Sequence, residues 1–121
     1  MRIDDSGDIR VQYLDADGPV ITASNDTSDL IGNAWVDNVN LIAVPVARLD
    51  PEFVRLRSLM AGEIVQKLVN YQLQLAVIGD ITKFVAASDA FRDFVGESNR
   101  GRNVWFLLDE DALEAKLAAT R

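Results

Sequence analysis

Three groups of side chains in this sequence have the types and spacing for chemistry. In the first, Ser58 follows Arg55 and Arg57. A hydroxyl beside two guanidinium groups at a helix start can accept a phosphoryl group or, with the arginines, hold a phosphate or carboxylate. Guanidinium groups and the helix dipole both stabilise oxyanions. In the second, Asp80 stands three residues before Lys83, with Thr82 and Ser88 nearby and Asp109 and Asp111 further on. These could be drawn into general-base work, but nothing adjacent tunes a pKa or supplies a nucleophile. In the third, Glu97, Ser98, Asn99, Arg100, Gly101 and Arg102 form a polar cluster, and Asn70 and Tyr71 end a long amphipathic stretch. Arginine and tyrosine are favoured where proteins dock.

Each group also has a structural reading. Ser58 and Asp50 serve equally as helix caps. Gly101 is placed as a left-handed C-cap, with the arginines around it complementing the helix dipole and Glu97 pairing with one of them.

Composition narrows the chemistry further. The chain has no histidine and no cysteine, so disulfide and thiolate chemistry are absent and only oxygen ligands are left for a metal. No metal site and no cofactor is expected, and catalysis has little to start from. Nineteen acidic against twelve basic residues give a net charge of −7, which repels polyanions, so nucleic acid is not an expected partner. The longest apolar run, at 41–47, is far shorter than a membrane span, and the N-terminus has no basic region leading into an apolar core. These features read as a cytoplasmic soluble protein of bacterial type, not bound to membrane, and the length suits one domain over 1–121.

The positioning elements follow from periodicity. Residues 58–80 read as a long amphipathic helix turning at once into a buried strand, with Met60, Ile64, Leu68 and Tyr71 as the inward stripe and Glu63 pairing Lys67 on the solvent side. Gly62 inside that helix implies close approach of a neighbouring backbone. Before it come a short strand at 1–4 and an alternating strand at 9–14 with Ile9, Val11 and Tyr13 on its better-buried face. A helix at about 25–38 then turns Leu30, Ile31, Ala34 and Trp35 to the sheet, and an uninterrupted apolar strand follows at 41–46. Asp50 and Pro51 open a helical turn over 51–57. After the long helix come a strand at 73–79, a loose connection over 79–88, a helix at 89–99 with Phe91, Phe94 and Val95 inward, a strand at 103–108 and a closing acidic-started helix. This order predicts an α/β fold: a mixed, mostly parallel sheet of four or five strands, flanked by about four helices, with a right-handed crossover through 58–80.

Five blocks, at 29–35, 49–53, 59–71, 75–80 and 92–102, together resemble the bacterial domain-of-unknown-function 4180 family. That resemblance implies this fold and a single domain, and transfers no activity. The element order also resembles the anti-sigma-factor antagonist (STAS) architecture, in which a serine at the start of the helix after the third strand is phosphorylated by a partner kinase. Ser58 occupies roughly that place, although the Asp-Ser-Ser/Thr-Gly motif close behind the strand is replaced by Arg57, Ser58, Leu59, Met60, Ala61 and Gly62.

The function expected first is a non-catalytic regulatory or protein-interaction domain, switched by phosphorylation near Ser58. A domain binding an anionic small molecule at the carboxyl edge of the sheet comes second, with Arg55, Arg57, Ser58, Asp80 and Lys83 as its ligand or switch residues; an enzyme comes third. Asn70, Tyr71, Glu97, Asn99, Arg100 and Arg102 are the expected interaction surface. Trp35 and Val36 lie on neighbouring faces of one helix, more apolar surface than a single sheet contact covers, which leaves monomer and homodimer both open.

Overall fold

The computed structural model describes residues 2–6, 8–18, 20–21, 25–50 and 60–119. Strands β1 (Arg2–Ser6) and β2 (Ile9–Tyr13) form a hairpin. Helix α1 (Asn25–Val36), strand β3 (Leu41–Pro45), a short 3-10 turn (Val46–Arg48), helix α2 (Met60–Asn70) and strand β4 (Gln74–Ile78) follow. Helices α3 (Thr82–Ala87) and α4 (Asp89–Arg100), strand β5 (Val104–Leu107) and helix α5 (Glu110–Ala119) complete the order. The strands lie in one sheet in sequence order, β1 antiparallel to β2 and β2 to β5 mutually parallel. This is the expected α/β class, with five helices among the described residues. The expected helical turn over 51–57 and the N-terminal part of the long helix lie outside the described residues.

Sequential strand order explains the layers. Crossovers of one hand place every connecting helix on the same face of the sheet. On that face Ile31 and Ala34 of α1, Ile64 and Leu68 of α2 and Phe91 of α4 pack with Ile42, Val44, Leu75, Val77, Val104 and Phe106. The alternate residues of the same strands, Val11, Tyr13, Leu41, Ala43, Ala76 and Trp105, point the other way and are covered by Leu113 and Leu117 of α5. The short Ala43 and Ala76 at the sheet centre let a single helix lie close across this second face. Because both faces are covered, Gln12 is also buried, at 1% exposure, and β2 is not the one-sided strand its alternation suggested.

Three local expectations are corrected. The connection over 79–88 contains α3, whose entry is set by Asp80 in an Asx turn. Gly62 is exposed, with no described atom within 4 Å of where a Cβ would sit, so no described neighbour makes the expected close approach. Gly101 has φ −93° and ψ −164°, extended and not left-handed. Helix α4 ends through a tight bond from the Gly101 N–H to the Ser98 carbonyl, and the Gly101 carbonyl accepts the Trp105 indole N–H at 2.9 Å.

Among the described residues, the two left-handed helix ends are built on other residues. Asn38 (φ 57°) ends α1 and Gln72 (φ 59°) ends α2. In each, the next residue donates back to the helix, Val39 to Ala34 at 2.8 Å and Leu73 to Leu68 at 2.9 Å, while Asn38 and Gln72 themselves donate to Trp35 and Val69. Both are Schellman turns, with Val39 and Leu73 buried to lock them. Glycine is required at position 79, where φ is +141° and an added Cβ would stand 2.7 Å from Val46 Cγ1. Gly79→Ala is expected to lower unfolding free energy by about 2 kcal/mol or more, read as a shift of the urea midpoint at constant slope.

Candidate functional site

The sequence-derived candidates separate into three places. Arg55, Arg57 and Ser58 lie outside the described residues. At the carboxyl ends of the strands, the acidic and hydroxyl side chains act as caps. Asp80 Oδ1 accepts from the Thr82 N–H at 2.9 Å and from Thr82 Oγ1 at 2.5 Å. Ser88 Oγ accepts from the Phe91 N–H at the start of α4, and Asp109 Oδ1 from the Ala112 N–H at the start of α5. Lys83 is exposed, its ammonium 5.4 Å from the Phe84 ring centroid. Asp80 and Lys83 therefore share a turn in which Asp80 is engaged by Thr82 and Lys83 by the Phe84 ring. No cluster of three or more acidic groups able to hold a metal occurs among the described residues.

The polar cluster after α4 builds the edge of the sheet. Strand β5 is the last strand, and its outer backbone would be open. Asn99 closes it: the Phe106 N–H donates to Asn99 Oδ1 at 2.7 Å, and Asn99 Nδ2 donates to the Phe106 carbonyl at 3.3 Å. One amide side chain thus mimics the pairing of a further strand, which blunts the edge. Lys116 Nζ donates to the Asn99 carbonyl at 3.0 Å and stands 5.0 Å from the Trp105 ring, tying α5 to this corner. Glu97, Arg100 and Arg102 are exposed, and the Arg102 carbonyl accepts from Gln74 Nε2 at 2.6 Å.

Asn70 and Tyr71 sit at the same amino-end edge, Tyr71 against α1. Asn70 accepts from Gln66 within its own helix at 2.9 Å. Tyr71 is 47% exposed and meets the 66% exposed Trp35 edge-on, ring centroids 6.4 Å apart. Neither aromatic joins the buried stripe assigned to it from sequence. Ala34 points at the sheet, and Trp35, about 100° further round the helix, turns toward α2. Tyr71 falls beyond the last turn of α2, where the sheet edge no longer covers it. Val36 next door is 81% exposed.

The pair stands between two grooves. One, of about 340 Å³, runs between α1 and α2 and is lined by Ser28, Ile31, Gly32, Trp35, Lys67 and Tyr71. The other, of about 320 Å³, lies along the amino ends of the strands and presents the amides of Asn38, Asn40 and Gln72. In the first groove Lys67 Nζ donates to Ser28 Oγ at 2.6 Å, reaching across to α1 in place of the expected pairing with Glu63. Lys67 was read from sequence only as the partner of Glu63, and Ser28 was not singled out, because their meeting depends on how α1 and α2 lie side by side. The exposed Trp35 and Val36 were legible as surplus apolar surface.

Two measurements check these assignments. Asn99→Ala is expected to cost about 1–3 kcal/mol, since two hydrogen bonds to strand backbone are lost together; denaturant titration reads it. The Asp80 carboxyl is held below its ordinary 3.8 by the Thr82 hydroxyl and then the Thr82 N–H. A depressed folded pKa means that this stabilisation is present above pH 3.8 and lost as pH falls through the folded value. In Thr82→Val the Asp80 titration, followed by carboxyl carbon NMR shifts, is expected to move back up toward 3.8.

No helix among the described residues is long and apolar enough to cross a membrane. No curated protein and no solved structure matches the chain. The model of the family described as Domain of unknown function (DUF4180) matches residues 6–117, nearly the whole length, and the chain belongs to that family.

Proposed function

We propose that the chain is a non-catalytic interaction module that docks protein through the outer surface of α1 and α2. The observation that carries this reading is the Trp35–Tyr71 pair, two aromatic rings held against each other yet largely in water, with Val36 beside them. An exposed tryptophan loses a large apolar area to solvent, and single exposed Trp and Tyr residues dominate binding energy at protein interfaces. The adjoining groove adds apolar lining from Ile31 and one cation, Lys67, a composition suited to a protein surface that needs one charge for orientation.

A catalytic reading draws less support, because Asp80, Ser88 and Asp109 are engaged as caps. Of the carboxyl-edge anion site, the described part is Asp80 with Lys83, and there the Asp80 carboxylate is turned onto Thr82. A regulatory role for Ser58 stays tied to the sequence alone.

Site-specific photo-cross-linking tests the docking surface. A benzophenone side chain placed at position 35 or 71, in cells that carry the protein, is expected to yield discrete higher-mass adducts. The same group at Arg92 on the exposed side of α4 is expected to yield none. Equal labelling at all three positions, or none at 35 and 71, would remove the reading.

A further inference from the structure

We infer that the occupant of the α1–α2 surface is a second copy of this chain, bound as a symmetric dimer; this rests on the reading of that surface as a docking face. Charge complementarity selects the occupant. Glu63 and Lys67 are four residues apart on α2, in the order that favours pairing within a helix. Lys67 instead bonds the neutral Ser28 hydroxyl, and Glu63 stands exposed. A surface carrying one such cation and one such anion a helical turn apart is complementary to itself. When two copies of α2 cross antiparallel about a two-fold axis level with Val65, Glu63 of each copy comes opposite Lys67 of the other. Two reciprocal ion pairs then arise from one patch, as an isologous interface requires.

Two exposed helical glycines are compatible with such an approach. Gly62, next to Glu63 on α2, has no described atom within 4 Å of where a Cβ would stand. Gly32, equally exposed and open, lies between Ser28 and Val36 on the outer side of α1 and lets the second copy approach closely. Within one chain no described neighbour requires a glycine at either helical position. A purely acidic partner would engage Lys67 but would leave Glu63 facing like charge.

Sedimentation velocity on the full chain, across low to high micromolar concentration, tests the inference. At physiological salt the Debye length of about 8 Å screens repulsion between two chains of net charge −7 but not close pairs. The expected result is a species of twice the 13.4 kDa chain mass at the upper concentrations. Glu63→Lys and Lys67→Glu are each expected to raise the dissociation constant about tenfold or more, and the double swap to restore it toward the starting value. Circular dichroism melts confirm that each variant folds. A dimer indifferent to both single reversals, or a double swap no better than either single, overturns the inference. So does a chain that is monomeric throughout. In that case, cross-linking of position 35 to a different protein would leave the docking reading standing, and no cross-linking would remove both.

Discussion

The structure depends on one constraint: the central strands are apolar on both faces, so both faces must be covered. β3, β4 and β5 each place buried residues above and below the sheet. With strands in sequential order and crossovers of one hand, α1, α2 and α4 all fall on one side. The second side is then left to whatever follows β5. α5 meets that need with two leucines, Leu113 and Leu117, each fully buried against the sheet. At about 1.5–3 kcal/mol per buried leucine, the pair is comparable to a sizeable share of a small protein's net stability.

Holding a single short helix across a whole sheet face calls for contacts at both of its ends. At one side Glu110 pairs with Arg2 of β1, and the Arg2 guanidinium stands 4.3 Å from the Tyr13 ring centroid. At the other, Lys116 reaches the Asn99 carbonyl and the face of Trp105. These ties join α5 to the two outermost strands, so the edges of the sheet and the cover of its second face are stabilised together. The amide of Asn99 completes this arrangement by closing the outer backbone of β5.

Polar residues are distributed accordingly. The carboxyl edge spends Asp80, Ser88 and Asp109 on turns and helix starts. At the amino edge, the Schellman turns at Asn38 and Gln72 return α1 and α2 directly into strands, which sets their last turns side by side. Trp35 and Tyr71 meet there because the two helices end in the same way at the same level. The aromatic pair is a product of matched helix terminations, and it lies on the side of the helix layer that the sheet does not cover.

Apolar runs and their periods determined the α/β class, the parallel order of the second half and the inward residues Ile31, Ile64, Leu68 and Phe91, because burial along a strand or helix is a local property of spacing. Asp80, Ser88 and Asp109 were legible only as a polar group at the carboxyl ends of the strands, and their work as turn and cap residues emerged with the helix starts. What only the tertiary structure decided concerns groups far apart in the chain. It brought Lys67 to Ser28 and Trp35 to Tyr71, and it set Asn99 against the edge of β5 and α5 across the second face. It also replaced the expected glycine turn at position 101 with left-handed Asn38 and Gln72, where buried Val39 and Leu73 outweigh the backbone cost. Local pattern specifies what each element buries. Which surface it leaves in water depends on how far its neighbours reach, and that is settled only when the elements pack.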